Sequence, residues 1–150
     1  MRALLQRVER ASVSVGGEVV DSCDHGLLIF LGVGAGDDEM TAERLWHKVL
    51  ALRIFDDEAG KTNLSLADVG GEALVVSQFT LYANCKRGRR PSFTDAADPA
   101  TGRALYEHFC ELAEADLSSA HVGRGSFGAH MKVELVNDGP FTVWLDTDEL

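Results

Sequence analysis

The segment between Met131 and Leu145 restricts the fold more than any other part of the chain. Apolar and polar residues alternate on both sides of a central Asn-Asp-Gly-Pro sequence at 137–140. Such alternation predicts two half-buried strands, and the central residues mark where the strands meet. Proline lacks a backbone donor and glycine has no side chain, so the Gly139-Pro140 step leaves main-chain carbonyls accessible. From the pattern alone this step is a turn, because all four residue types favour turns.

The N-terminal third predicts a hairpin followed by a buried strand. Residues 2–15 carry apolar residues among polar partners, and Gly16-Gly17 is a hairpin signal that leads into Glu18. From Gly26 to Val33 the run is continuously apolar, as in a strand that is buried on both faces.

Two helices are predicted, with a strand between them. Residues 38–54 form the first helix, and the Asp98-Pro99 step begins a second helix that runs to about Asp116. The buried helix faces are expected to consist of Leu45, Val49 and Leu52 in the first helix and Leu105, Phe109 and Leu112 in the second. Residues 74–81 begin as a buried strand and turn polar at the end, where ligands bind in α/β folds. The predicted order is β(2)-(βα)2-β(3), a mixed sheet of the α/β class in one domain, 1–150.

Length and cysteine content agree with a soluble cytoplasmic protein. A chain of 150 residues, 45% of them hydrophobic, can bury a core without metal or disulfide staples. The longest apolar run, Leu27 to Leu31, is too short to span a bilayer, and charge near the N-terminus argues against a signal peptide. The 3 cysteines are odd in number and widely spaced, so we expect neither disulfides nor a zinc site.

The charge balance limits how the protein can contact nucleic acid. The chain has a net charge of −10, which opposes binding through bulk electrostatics. Its basic residues are nevertheless concentrated in one short run, which contains Lys86, Arg87, Arg89 and Arg90. This run is either a solvated loop or a small phosphate contact on an otherwise repelling surface.

Two glycine-rich segments are unsuitable as phosphate loops. In Gly32 to Gly36 the last glycine of a dinucleotide motif is replaced by Asp37, and the acids that follow serve better as a helix cap. The segment from Gly123 to Gly128 matches the motif formally but precedes a strand instead of opening a helix.

The remaining chemistry of the sequence is sparse. Ser77 and Thr80 offer hydroxyls but do not lie in a nucleophile elbow, and no two histidines have metal-ligand spacing. The acidic turn at 56–58 does not match a calcium loop, so no metal is expected. The pattern predicts only hydroxyls and an amide at a strand end, together with the Gly-Pro step.

Two segments resemble the signature motifs of one family. Ser77-Gln78-Phe79-Thr80-Leu81 and Asn137-Asp138-Gly139-Pro140-Phe141-Thr142, in this order and spacing, resemble the D-aminoacyl-tRNA deacylases, the D-Tyr-tRNA(Tyr) deacylase family. The match extends through flanking segments along nearly the whole chain: 1–8, 11–13, 27–32, 53–55, 63–64, 90–93 and 127–129, with Met131.

The resemblance implies a fold, an assembly and an activity. It implies a family fold layered β/α/β and a homodimer without a metal or other cofactor. It implies that this dimer hydrolyses the ester that joins a D-amino acid, or glycine mischarged on tRNA(Ala), to the terminal adenosine of tRNA. It also implies that the Gly139-Pro140 bond is cis and that this motif enters the active site of the partner subunit.

The resemblance also assigns roles to individual residues. The carbonyls of Gly139 and Pro140, in the motif that begins at Asn137, are expected to read the α-amino group and exclude L side chains. Arg7 is expected to hold this motif in place. The remaining expected roles concern the terminal nucleotide and the tRNA backbone: Gln78 near the ribose, Ser77 supporting the loop, Phe127 and Met131 at the adenine, and Lys86, Arg87, Arg89 and Arg90 at phosphates.

The sequence leaves several alternatives open. Either the Thr80 hydroxyl attacks the ester, or water attacks with help from the 2′-hydroxyl of the adenosine while the N–H groups near Phe79 and Thr80 stabilise the oxyanion. We favour water, because the motif places no base beside Thr80. An L-aminoacyl-tRNA editing paralogue with a trans Gly-Pro bond, and a non-catalytic single-stranded nucleic-acid binding module, are the competing functions. Phe141 and His130 depart from the residues that are common in the family.

Overall fold

The computed structural model describes residues 1–150. The strands are Arg2–Val15 (β1), Glu18–Cys23 (β2), Gly26–Gly32 (β3), Phe55–Asp56 (β4), Thr62–Leu64 (β5), Glu72–Ser77 (β6), Val122–Arg124 (β7) and Met131–Asp146 (β8). The α-helices are Glu39–Ala51 (α1) and Pro99–Leu117 (α2), and three short 3₁₀ helices cover Phe79–Tyr82, Ser119–His121 and Thr147–Glu149.

Six strands form one mixed sheet in the order β2-β1-β3-β6-β7, with β8 paired to β1. Pairs β3–β6 and β6–β7 are parallel, and the pairs that involve β1 are antiparallel. The predicted mixed α/β class with two strand–helix units is therefore confirmed. The small antiparallel sheet of β4 and β5 was not predicted, since its strands are too short to show a pattern.

The sheet is rolled, and its two faces bury separate cores. At its ends β2 and β7 come together, where the Arg124 N–H donates to the Asp21 carboxylate at 2.8 Å. The larger core of 23 residues joins one face to α1 and α2, and a second core of 7 residues lies on the other face. In β3, Leu27, Leu28 and Ile29 are all fully buried, which confirms the prediction of burial on both faces.

The turns and helix ends follow local sequence chemistry. Gly16 and Gly17 both have positive φ, at 62° and 90°, as a two-residue hairpin turn requires. Asp38 caps α1 by accepting from the Thr41 N–H at 2.8 Å, and Asp98 caps α2 in the same way. Helix α1 ends at Ala51, before the predicted end at 54, and α2 keeps its predicted length to within one residue.

The Gly139-Pro140 step differs from both expectations. Instead of joining two strands by a turn, it lies inside the single strand β8, which pairs with β1 from Arg2 to Val15. Pairs Gln6–Thr142 and Val8–Asn137 enclose one residue of β1 and four of β8, so 138–141 form a bulge. The bulge accommodates proline, which cannot donate to the ladder.

The peptide bond between Gly139 and Pro140 is trans, since the chain has no cis bond. The expectation of a cis bond is therefore wrong for this structure. Gly139 accommodates the departure from regular strand geometry through a φ of +117°, a value that residues with side chains rarely adopt.

None of the helices combines the length and apolar character needed to cross a membrane.

Candidate active site

The carboxyl end of β6 forms one wall of a cleft. The strand ends at Ser77, and Gln78 continues the pairing with β3 by donating its N–H to the Leu31 carbonyl at 2.7 Å. A 3₁₀ helix then begins at Phe79, so the predicted strand over 74–81 is four residues too long. The helix turns tightly beside Gly32, where an added Cβ would lie 3.1 Å from the Gln78 carbonyl. Glycine at this position allows the helix to fold back over the sheet.

The cleft has a volume of about 360 Å³ and is mainly apolar. Ser77, Gln78 and Phe79 line it on the β6 side, together with Phe93. The rings of Phe79 and Phe93 meet edge to face at 5.1 Å, and 58% of Phe79 is exposed. Two aromatic rings at an open site provide a surface on which a flat group can pack.

The opposite wall belongs to α2 and the loop after β7. Tyr106 and Phe127 lie 5.8 Å apart between ring centres, and Gly102 leaves room for the Phe127 ring. The Tyr106 hydroxyl lies 2.9 Å from the Val75 carbonyl and 3.1 Å from the Gly125 carbonyl, so these two acceptors share its single hydrogen. Burial raises the pKa of Tyr106, so this hydroxyl stays neutral and connects β6 to the opposite wall.

Thr80 lies beside the cleft but does not line it. Its hydroxyl accepts a hydrogen bond from the side-chain amide of Gln78, and no histidine or carboxylate bonds to it. The first N–H to bond within the 3₁₀ helix is that of Leu81, which donates to the Gln78 carbonyl at 3.2 Å. The N–H groups of Phe79 and Thr80 precede that bond and have no partner within the helix.

The basic run forms the tip of a small hairpin beside the cleft. Asn84 and Ser92 exchange two backbone hydrogen bonds, of 2.7 and 3.0 Å, which close the loop between them. Lys86, Arg87, Arg89 and Arg90 in this loop are all exposed. We call residues 84–92 the basic hairpin. Since Phe93 follows it directly and lines the cleft, the four positive charges are close to the cleft along the chain.

Arg7 lies under the bulge of β8 and is buried, with 6% exposure. Its guanidinium donates to the Asp138 carbonyl at 3.3 Å and the Ile54 carbonyl at 2.7 Å, and lies 3.1 Å from the Asp138 carboxylate. It also packs over the Phe141 ring at 5.0 Å. Arg7 therefore contacts the bulge at several points from below.

The Asn137 amide closes the base of the bulge. It donates to the Arg7 carbonyl at 2.9 Å and to the Phe141 carbonyl at 3.0 Å. Gly139 and Pro140 are exposed at the tip. The two bonds hold the strand ends of the bulge together, so the tip projects from a fixed base.

The structure brings together only some of the predicted site residues. Ser77, Gln78, Phe79 and Phe127 share the cleft, whereas the bulge residues and Arg7 form a separate group outside it. Met131 packs against the second core and does not line the cleft.

Sequence reasoning missed Tyr106, Phe93 and Gly102 in the cleft. A tyrosine among the buried positions of a helix was a usable signal for Tyr106, because its hydroxyl needs a polar partner. Phe93 lies in the segment 90–93 that resembles the family, which was a usable signal for it, whereas none distinguished Gly102.

The other titratable groups do not contribute to the cleft. Burial raises the pKa of Cys23 and of Cys110 to about 12, so both stay protonated thiols. All 3 cysteines are free, and Cys85 is exposed in the basic hairpin. No group of three or more His, Cys, Asp or Glu side chains is arranged to hold a metal ion.

A sequence model that describes D-Tyr-tRNA(Tyr) deacylases matches residues 4–146. The chain belongs to this family. It is 59% identical to a D-aminoacyl-tRNA deacylase of Thermomicrobium roseum, over 100% of this chain and 96% of that protein. A protein of the same name from Thermotoga petrophila is 55% identical, over 100% of this chain and 99% of the relative.

Solved structures share the fold of this family member. A c-Myc DNA unwinding element binding protein superposes with a TM-score of 0.93 at 38% identity, over 97% of this chain and 98% of that one. A probable eukaryotic D-amino acid tRNA deacylase superposes with a TM-score of 0.80 at 20% identity, over 96% and 97%. The second likeness concerns the fold alone.

Proposed function

We propose that this deacylase family member hydrolyses the ester of D-aminoacyl-tRNA, and of glycyl-tRNA mischarged on tRNA(Ala), in the cytoplasm. The observation that carries the proposal is the cleft at the end of β6, lined by Ser77, Gln78 and Phe79 of the family motif. Curated relatives that match the whole chain are named for this activity.

The composition of the cleft suits the end of a tRNA. The adenine packs on the apolar wall at Phe127, while Gln78 and Ser77 face the ribose. Met131 supports this wall from behind instead of touching the base, since its sulfur lies 3.0 Å from where a Cβ on Gly125 would be.

The chemistry relies on backbone groups and water. The N–H groups of Phe79 and Thr80 have no partner within the 3₁₀ helix, which supports the inference that they donate to the oxyanion formed at the ester carbon. Water attacks with help from the 2′-hydroxyl of the adenosine, because no protein base accompanies Thr80. Thr80 then serves through its main chain and not its hydroxyl.

Thr80→Ala is accordingly expected to keep most of the deacylase activity. Single-turnover hydrolysis of D-Tyr-tRNA by this variant measures the effect, with Thr80→Ser, which keeps a hydroxyl, as the control. A loss above ~10³-fold in kcat, with unchanged thermal stability and tRNA binding, would instead establish an acyl-enzyme route.

We propose that chirality is selected by the exposed bulge of a second subunit. Gly139 and Pro140 lie outside the cleft of their own chain, so they reach a cleft only in a homodimer. Backbone carbonyls there would bind the α-amino group and leave no space for an L side chain. The bond between these two residues is trans in this structure.

One assay tests the function. D-Tyr-tRNA, L-Tyr-tRNA and Gly-tRNA are incubated with the protein and ester loss is followed. We expect rapid hydrolysis of the D and glycyl forms and little of the L form. Equal hydrolysis rates for the L and D forms would identify the protein as an L-editing paralogue. This is the alternative function that the trans bond favours.

A second candidate is a non-catalytic nucleic-acid binding module. It is favoured by the likeness to a protein whose name describes DNA binding. The exposed Phe79–Phe93 pair beside the basic hairpin would suit single-stranded bases. In the same assay, the absence of hydrolysis with all three substrates would support this module and reject the deacylase.

The basic hairpin is proposed to contact tRNA phosphates near the acceptor end. Because the basic hairpin can neutralise only a few phosphates, the salt dependence of tRNA binding should be shallow. The logarithm of the association constant is expected to fall with the logarithm of the salt concentration at a slope of about −1 to −3. Titrations of deacylated tRNA at several salt concentrations measure this slope, and Arg89→Gln is expected to make it shallower by about one. A slope near ~−8 would show a much larger RNA-binding face.

A further inference from the structure

An arginine on α2 lies on the outer side of the cleft wall. The guanidinium carbon of Arg103 is 5.0 Å from the centre of the Phe127 ring, and one of its nitrogens donates to the Phe127 carbonyl at 3.4 Å. Phe127 and Gly102, the residue before Arg103, both line the cleft. Arg103 does not line the cleft itself but packs against the ring that we assign to the adenine.

Most of the hydrogen-bonding capacity of Arg103 is unused. The only carboxylate near it is that of Glu107, one helical turn away, at 3.7 Å. Both side chains are about half exposed, at 56% and 49%, and such a pair contributes little. A guanidinium has five N–H donors in a rigid fork, so a ring-stacked arginine can still bind an anion along its free edge.

The local charge favours an anionic partner for this cation. The protein carries a net charge of −10. Asp98, which lines the cleft, caps the N-terminus of α2 with its carboxylate. Hydrogen bonds from Thr101 lower the pKa of Asp98, which keeps it negative. A phosphate that approaches this wall is repelled unless a cation stands beside it, and Arg103 is placed to be that cation.

We propose that Arg103 binds the 5′-phosphate of the nucleotide whose base packs on Phe127. The inference rests on the proposed function, because it takes this cleft as the site for the 3′-terminal nucleotide of RNA. It adds a binding contact separate from the basic hairpin, which would reach phosphates farther along the strand. The esterified amino acid cannot be the partner through its backbone groups, since its carboxyl group is uncharged in the ester and its ammonium group would be repelled by the guanidinium.

Adenosine and AMP are the probes, because they differ only by the phosphate in question. Their dissociation constants are measured by titration calorimetry with the wild type and with Arg103→Gln, Arg103→Lys and Arg89→Gln. We expect the wild type to prefer AMP by about tenfold, as for one charge-assisted contact. Arg103→Gln should abolish the preference, Arg103→Lys should restore part of it, and Arg89→Gln should leave it intact.

Three results would overturn the proposal. The first is a wild type that binds AMP no more tightly than adenosine. The second is an undiminished AMP preference in Arg103→Gln. The third is an equal loss of affinity for both probes in that variant, because Arg103 would then act only by holding the Phe127 ring.

The same variants separate this proposal from the proposed function. With D-Tyr-tRNA, Arg103→Gln is expected to raise KM several-fold at unchanged kcat, since the phosphate is remote from the ester. A wild type that prefers AMP but hydrolyses no aminoacyl-tRNA would reject the deacylase function and keep the phosphate contact.

Discussion

Arg7→Ala is expected to lower the free energy of unfolding by about 2–3 kcal/mol and kcat/KM for D-Tyr-tRNA by at least ~10²-fold. The buried guanidinium holds the carbonyls of Ile54 and Asp138 and faces two carboxylates, those of Asp138 and Asp56. Its removal leaves these groups without their donor. The expected loss of stability is smaller than that for breaking a fully buried ion pair, because the Asp138 and Asp56 side chains are 34% and 48% exposed.

Urea unfolding and single-turnover deacylation measure the two effects of Arg7→Ala separately. Arg44→Ala is a suitable control, since Arg44 also donates to a backbone carbonyl, that of Thr147 at 2.9 Å, but contacts neither the bulge nor the cleft. We expect the control to lose stability without a matching loss of activity at temperatures where it is folded. Equal activity losses in the two variants would mean that Arg7 acts only through stability.

Gly139→Ala is expected to reduce kcat/KM for D-Tyr-tRNA by about 10²-fold while the chain still folds. At a φ of +117° an alanine is strained, and its Cβ would lie 2.9 Å from an Arg7 nitrogen. The bulge must therefore shift, at a cost of about 1–3 kcal/mol, and its carbonyls move with it. Gly17→Ala is the matched control, because Gly17 has a φ of +90° in open space in the turn between β1 and β2, at the far end of β1 from Arg7. It should lose some stability and keep its activity.

The proposed subunit exchange can be tested with the same variant. Gly139→Ala damages the bulge, and Phe127→Ala damages the cleft. If the bulge serves the partner's cleft, co-expression of both variants yields heterodimers with one intact site, or about a quarter of all sites. No recovery of activity above the two separate variants would contradict a shared site, as would a monomer in sedimentation experiments.

Local patterns were sufficient for most of the fold. The alternation in β1 and the apolar run of β3 predicted two strands, and the burial of their side chains follows these patterns. The glycine pair after β1 predicted a turn, and both glycines have the positive φ that such a turn requires. Asp38 and Asp98 marked the helix starts, because capping depends on residues within one turn. The predicted end of α1 was late, since Leu52 caps the helix and packs only partly into the core.

Motif resemblance located the cleft only in part. Ser77, Gln78 and Phe79 are adjacent in the chain, so their shared position followed from one strand end. Half-buried alternation does not say which core a side chain enters, and Met131 packs against the second core, so its expected role at the adenine stays a prediction. Tyr106 and Gly102 reach the cleft from a helix that starts more than twenty residues later, and only the packing of α2 on β6 brings them there.

By itself, the sequence determined the class of fold, the strand and helix order, and the family, because these depend on periodicity and on short segments. The course of the chain through Gly139 and Pro140 was decided by tertiary structure. Turn-forming residues predict a reversal, but β8 pairs with β1 on both sides of the bulge, and Arg7 and Asn137 bond to the extra residues. The step is therefore a trans bulge inside one long strand, since pairing on both sides stabilises the chain more than local turn preference does.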